Sequence, residues 1–108
     1  MINDSISAHI DTIALPVIKG ALEYAKEFLM TAAAQRNRKH IGDNVEFSKN
    51  ISFEMEELLF DPQTSGGLLF AVANDDSLKF LKELKAAGLP AAIVGNFSEK
   101  QEKNIYVE

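Results

Sequence analysis

The sequence predicts an α+β domain, a mixed β-sheet with helices packed against it. Two short apolar runs, Gly67–Asn74 (GLLFAVAN) and Ala91–Phe97 (AAIVGNF), flank a segment whose leucines recur at helical spacing. A second segment, Ile18 to Met30 (IKGALEYAKEFLM), also carries its apolar residues at helical spacing. The chain has 108 residues, no repeat and no dividing linker, which suits a single core.

Ala8–Val17 (AHIDTIALPV) reads as a short strand that stops before Pro16, because proline cannot donate to a ladder and restricts the residue before it. Ile18, Leu22, Ala25 and Leu29 then predict an amphipathic helix from Ile18 to Leu29, weakened near its start by Gly20. Thr31–Asn50 reads as a long irregular connection. Within it Ala32–Ala34 can extend the helix or start another, Arg36–His40 is polar and basic, Ile41–Asn44 is turn-like, and Val45 and Phe47 suggest a short extended piece. Connections of that length are uncommon and often functional.

Ser52–Phe60 (SFEMEELLF) predicts a short helix with Ser52 as its N-cap, ending before Asp61-Pro62. Glu54, Glu56 and Glu57 suit the positive end of its dipole, and a solvated acidic face outweighs a paired-carboxylate site. Gly67–Asn74 is expected to be a strand buried on both faces. Asp75–Ala87 should be a helix capped by Asn74 or Asp75, with Leu78, Leu81 and Leu84 as its stripe and Gly88 and Pro90 ending it. Ala91–Phe97 gives a second strand and Ile105–Val107 an edge strand. The succession over Leu68–Val94 predicts a βαβ unit with a right-handed crossover.

Composition narrows the function. Eleven basic against 16 acidic residues give a net charge of −5, which disfavours nucleic-acid and anionic-membrane partners. Cysteine is absent, so thiolate chemistry, disulfides and Cys-based metal sites are excluded, and a cytoplasmic setting is expected. No apolar run approaches a membrane span, and MINDSISAHI lacks the features of a secretory signal. Of the two histidines, His9 falls on the first strand and reads as structural or exposed.

The segment Asp61–Gly67 (DPQTSGG) carries the main chemical question. Asp-Pro starts turns, Thr64 and Ser65 offer hydroxyls, and Gly66 and Gly67 leave backbone N–H groups accessible. Two readings stand, a turn leading into a buried strand and an anion or substrate contact, with the turn weighing more. The segment lacks a lysine and a following helix, so it is no P-loop. Arg36 and Arg38 in the RNRKH run could grip phosphate, although a solvated basic loop is the commoner outcome.

Residues Leu58–Leu69 (LLFDPQTSGGLL) resemble the C-terminal signature of the selenophosphate synthetase (selenide, water dikinase) family. So do Leu15-Pro16 followed by Gly20–Ala25 (GALEYA), Arg36-Asn37-Arg38, Gly42-Asp43 to Phe47, and Ile93-Val94-Gly95. The resemblance implies a fold like the C-terminal half of aminoimidazole ribonucleotide synthetase. It makes residues 1–108 one partial C-terminal domain of a larger two-domain enzyme. That enzyme would convert selenide, ATP and water to selenophosphate, AMP and phosphate with Mg²⁺. The product supplies selenium for selenocysteine and selenouridine.

The resemblance further makes Asp61, Thr64, Ser65, Gly66 and Gly67 candidates for an interdomain phosphate cleft. Arg36 and Asn37 are a second tier, and no residue is expected to be catalytic or to bind metal. The family's cysteine or selenocysteine, its partner lysine and its metal-binding aspartates have no counterpart here. The isolated chain is therefore expected to be inactive and to hold neither ATP nor Mg²⁺ alone. Its implied partner is the N-terminal ATP-binding domain, with a homodimer as a second assembly open to it. One departure is notable: Ala33-Ala34-Gln35 stand where the family usually has glycines before its Arg-Asn pair. The alternative is a non-catalytic anion-binding or protein-interaction module that keeps the fold.

Overall fold

The structure, a computed structural model, describes residues 5–108. Met1 to Asp4, the start of the segment read above for signal features, lie outside the described residues. The architecture is the expected α+β one, a mixed four-stranded sheet accompanied by helices that pack chiefly on one another. The strands are β1 (Ile6–Ile10), β2 (Val45–Phe47), β3 (Gly95–Glu99) and β4 (Ile105–Val107), in the order β2-β4-β1-β3. β1 runs antiparallel to β3, with Ile6 opposite Glu99 and Ile10 opposite Gly95. It runs parallel to β4, which in turn runs parallel to β2.

Ile105–Val107 is thus an interior strand and not the edge strand expected. It is bonded on both sides: Ser48 N–H donates to the Val107 carbonyl at 2.8 Å, and Glu108 N–H donates to the Ile10 carbonyl at 2.9 Å. Ser7, with no exposed surface, ties this middle together. Its hydroxyl donates to the Lys103 carbonyl at 2.6 Å and accepts from the Gln101 N–H at 2.9 Å. Buried polar groups satisfied in this way cost little and fix register. Gly95 is required where β3 meets β1, because a Cβ there would collide with the His9 carbonyl.

The first strand starts earlier than expected and stops at Ile10; Asp11 then caps a 3-10 turn at Thr12–Ala14 by accepting from the Ile13 N–H at 2.9 Å. The first helix, α1 (Ala21–Lys26), is shorter than the Ile18–Leu29 pattern. It ends where Phe28 adopts φ 59, a conformation that breaks a helix. The connection expected to be irregular contains a helix, α2 (Ala32–Ile41). Thr31 caps it by accepting from the Ala34 N–H at 3.1 Å, and alanine, glutamine, arginine and lysine are strong helix formers. The RNRKH run is therefore helical, and its Arg38, Lys39 and His40 suit the negative end of the dipole.

α3 (Phe53–Phe60) matches expectation, although the Ser52 side chain makes no capping bond to the helix backbone. α4 (Asn74–Ala86) also matches, but Ala73 occupies the N-cap position, so neither Asn74 nor Asp75 caps it. Asp75 and Asp76 in its first turn complement the dipole instead. No strand forms over Gly67–Asn74, and the second predicted strand survives only from Gly95 onward, so no βαβ unit is built. A strand is stable only within a ladder, and residues 68–72 find no partner here.

Burial follows from this. Ala8, Ala25, Ala34, Phe60 and Val107 form the buried apolar core. The radius of gyration is 14.6 Å, against about 13 Å for a compact domain of this length.

Candidate functional site

The segment 61–67 leaves the C-terminal end of α3, and α2 fixes that end. Asn37 Nδ2 donates to the Phe60 carbonyl at 2.8 Å, satisfying an acceptor at the helix terminus. The Thr31 hydroxyl, besides capping α2, donates to Asp61 Oδ1 at 2.9 Å. One turn back, Arg38 donates from Nη1 to Glu56 Oε2 at 2.9 Å and from Nη2 to Glu57 Oε1 at 2.7 Å. Its guanidinium also lies over the Phe60 ring, 4.5 Å from the centroid. Glu57 is only 3% exposed and takes a further bond from Gln35 Nε2 at 2.9 Å.

Electrostatics lock the same joint. Burial alone lowers the Arg38 pKa, but its hydrogen bonds and proximity to Glu56 and Glu57 outweigh that and hold it above its ordinary value. Glu54 is held below the ordinary carboxylate range, chiefly by a bond from its own backbone N–H, against the opposing effect of burial. Ser52 and Lys26 add to the lowering. The Lys26–Glu54 pair, at 3.4 Å, links α1 to α3.

Beyond Asp61 the chain is held lightly. Gln63 Nε2 donates to the Leu58 carbonyl at 3.3 Å, and Thr64 N–H donates to the Pro62 carbonyl at 3.0 Å. Gly67 sits at φ 74, a conformation side chains rarely adopt, and open space surrounds it. Thr64, Ser65, Gly66 and Gly67 are all exposed. The arrangement is a rigid root carrying a solvent-facing loop, with hydroxyls and glycine backbone free for an incoming ligand.

The chain matches the family "AIR synthase related protein, C-terminal domain" over residues 1–108. It belongs to that family. It is 64% identical over 99% of its length to the selenide, water dikinase of Agathobacter rectalis. It is 43% identical over 82% of its length to that of Desulfitobacterium hafniense strain Y51, and 36% identical over 97% to that of Aliarcobacter butzleri. The chain spans 31%, 26% and 31% of the length of these three relatives.

Within this AIR synthase-related domain the sequence-predicted residues divide into three groups. Asp61 and Asn37 are brought together at the α2–α3 joint and are engaged in holding it. Thr64, Ser65, Gly66 and Gly67 stand free on the loop. Arg36 is exposed on α2 and makes no hydrogen bond or ion pair among the described residues. Arg38, weighed with it as a phosphate grip, is committed to Glu56 and Glu57, which also corrects the solvated reading of those glutamates. Sequence reasoning missed Thr31 and Gln35. A threonine before three alanines and a glutamine was the available signal of a capped helix.

A concavity of about 360 Å³ lies elsewhere, lined by His9, Asp11, Gly95, Asn96 and Glu108. His9 Nε2 lies 3.0 Å from the Ser98 hydroxyl, and Nδ1 lies 3.5 Å from Glu108 Oε1. The ring stacks on Tyr106 at 5.1 Å. Gln101 Nε2 lies 3.3 Å from His9 Nε2 as well, so the ring is held among Ser98, Gln101, Tyr106 and Glu108. The groove is walled by carboxylates and takes no residue from 61–67, so it suits no phosphate. No group of three or more His, Asp or Glu side chains is placed to hold a metal ion among the described residues. No helix among them is long and apolar enough to cross a membrane.

Proposed function

We propose that the chain serves as the C-terminal domain of a two-domain, cytoplasmic selenide, water dikinase, which makes selenophosphate, AMP and phosphate from selenide, ATP and water. Residues 61–67 then border the cleft between this domain and an N-terminal ATP-binding domain. One observation carries the reading: a loop with free hydroxyls and glycine N–H groups is fixed at its root by Thr31 and Asn37. Such a loop can bring its donors close to phosphate oxygens from a fixed root, which favours positioning.

The chemistry of ATP with Mg²⁺ is phosphoryl transfer, and the donor set fits the nucleotide's phosphates better than its metal. Thr64 and Ser65 hydroxyls and the Gly66 and Gly67 N–H groups would donate to phosphate oxygens. Arg36 would add an unpaired positive charge from α2. Asp61, already accepting from Thr31, keeps the loop's first residue in place. None of these is a catalytic residue; the chain's part is to bind and orient.

The test is kinetic, in the full-length enzyme. Ser65→Ala should raise the KM for ATP by about tenfold, roughly the value of one lost hydrogen bond to a charged group. Gly67→Val should raise it at least as much, because valine does not hold φ 74 and turns the backbone N–H away. Thermal stability of the Ser65→Ala enzyme should not change. Unaltered KM and kcat in both variants would remove the loop from the cleft.

A further inference from the structure

Leu68–Val72 (LLFAV) is in a state its composition does not favour. It forms neither helix nor strand, and Leu68 and Leu69 are 83% and 77% exposed. None of its backbone groups is hydrogen-bonded among the described residues. The nearest backbone bonds on either side are Thr64 N–H to the Pro62 carbonyl and Asp76 N–H to the Ala73 carbonyl. Phe70 rests edge-on against Phe80 of α4, with centroids 5.3 Å apart.

The surface as a whole has the same character. The chain exposes 8151 Å². A compact protein of its 11.9 kDa exposes about 5,900 Å². The excess is more than the roughly 800 Å² that each partner contributes to an interface of standard size.

We propose that Leu68–Val72 is an unpaired β-strand that adds to a sheet contributed by the polypeptide preceding this domain in the longer enzyme. The proposal rests on the domain reading above. Phenylalanine and β-branched valine, with glycines immediately before the run, suit a strand better than a helix. As a strand the run places Leu68, Phe70 and Val72 on one face and Leu69 and Ala71 on the other, so both faces call for cover. Both edges are bare, so two neighbours are needed. A second copy pairing through its own Leu68–Val72 would cover one edge and leave the other open. The preceding polypeptide has the length to supply both, since the chain spans only 31% of the Agathobacter rectalis relative. Strand addition here also seats the adjoining loop 61–67 at the junction of the two parts.

Amide hydrogen exchange tests this on the full-length enzyme and on the 108-residue chain at low concentration. In the full-length enzyme the amides of residues 68–72 should exchange at least 100-fold more slowly than in the short chain. Ala71→Pro, which deletes a ladder donor, should abolish that protection while the amides of Ser7–Ile10 stay protected in both proteins. Rapid exchange of 68–72 in the full-length enzyme would overturn the proposal. So would protection in the short chain that rises with its concentration, which assigns the strand's neighbour to a second copy. Protection of 68–72 in a full-length protein that makes no selenophosphate would sustain the strand and refute the proposed activity instead.

Discussion

Replacing Arg38 with methionine strips the Glu57 carboxylate of its cation while preserving most of the side-chain volume. Glu57 is 3% exposed and receives the shorter of the two Arg38 bonds, at 2.7 Å. Breaking a buried ion pair from one side costs about 3–5 kcal/mol, because the remaining charge stays desolvated. Two features lower that figure here. The Arg38 side chain is 34% exposed, so water already screens part of the attraction, and Gln35 still donates to Glu57 at 2.9 Å. The expected loss is about 2–3 kcal/mol, part of it from the contact with the Phe60 ring. At about 4 °C per kcal/mol for a chain of this size, the melting temperature should fall by about 10 °C.

Urea and thermal denaturation followed by circular dichroism measure the effect, and Glu57→Gln completes a double-mutant cycle. The Arg38→Met/Glu57→Gln protein should recover at least about 1 kcal/mol relative to Arg38→Met, since the orphaned charge is gone. An Arg38→Met protein within about 0.5 kcal/mol of the parent, the ordinary range for surface changes, would refute the reasoning. So would a double variant no better than the single one.

Gly95→Ala drives a methyl group into the His9 carbonyl where β3 meets β1. It should cost about 2 kcal/mol or more, read as a lower urea midpoint; a midpoint equal to the parent's would show that the strands separate freely there. The pH dependence has a definite sign. Because the folded-state pKa of Glu54 is depressed, its contribution is present above the ordinary carboxylate value of about 4.3 and is lost as pH falls through the folded value. Glu54→Gln should therefore flatten the stability profile on the acid side of about pH 5, and unchanged acid sensitivity would count against the backbone bond and the Ser52 and Lys26 contacts assigned to this carboxylate.

Legibility in the sequence tracked how locally each element is determined. α3 and α4 were readable because their apolar spacing and terminators lie within the segment itself. α2 was not, because its mean pattern is polar and its value lies in Thr31 and in ion pairs to a distant helix. The mixed character of the sheet was anticipated, but the interior place of β4 was not, since three residues say nothing about which strands flank them. The apolar run at 67–74, expected to be a strand buried on both faces, forms no strand and stays exposed, because the described residues offer it no neighbouring strand. For the loop, the residue types pointed to exposed donors. The Thr31 and Asn37 anchors depended on tertiary contacts that spacing does not encode.

The order of strands also sets how this domain reaches its fold. β3 and β4 are consecutive in sequence, yet β1 lies between them and bonds to both. The Ser7–Lys103 bond that secures this spans 96 positions. No neighbouring strands are joined by a tight hairpin, so the sheet has no local nucleus and a high contact order. The helices can form on the microsecond scale, but the threading of β1 between its two flanks must await closure of a very long loop. Sheet closure is therefore the step expected to set the pace of assembly.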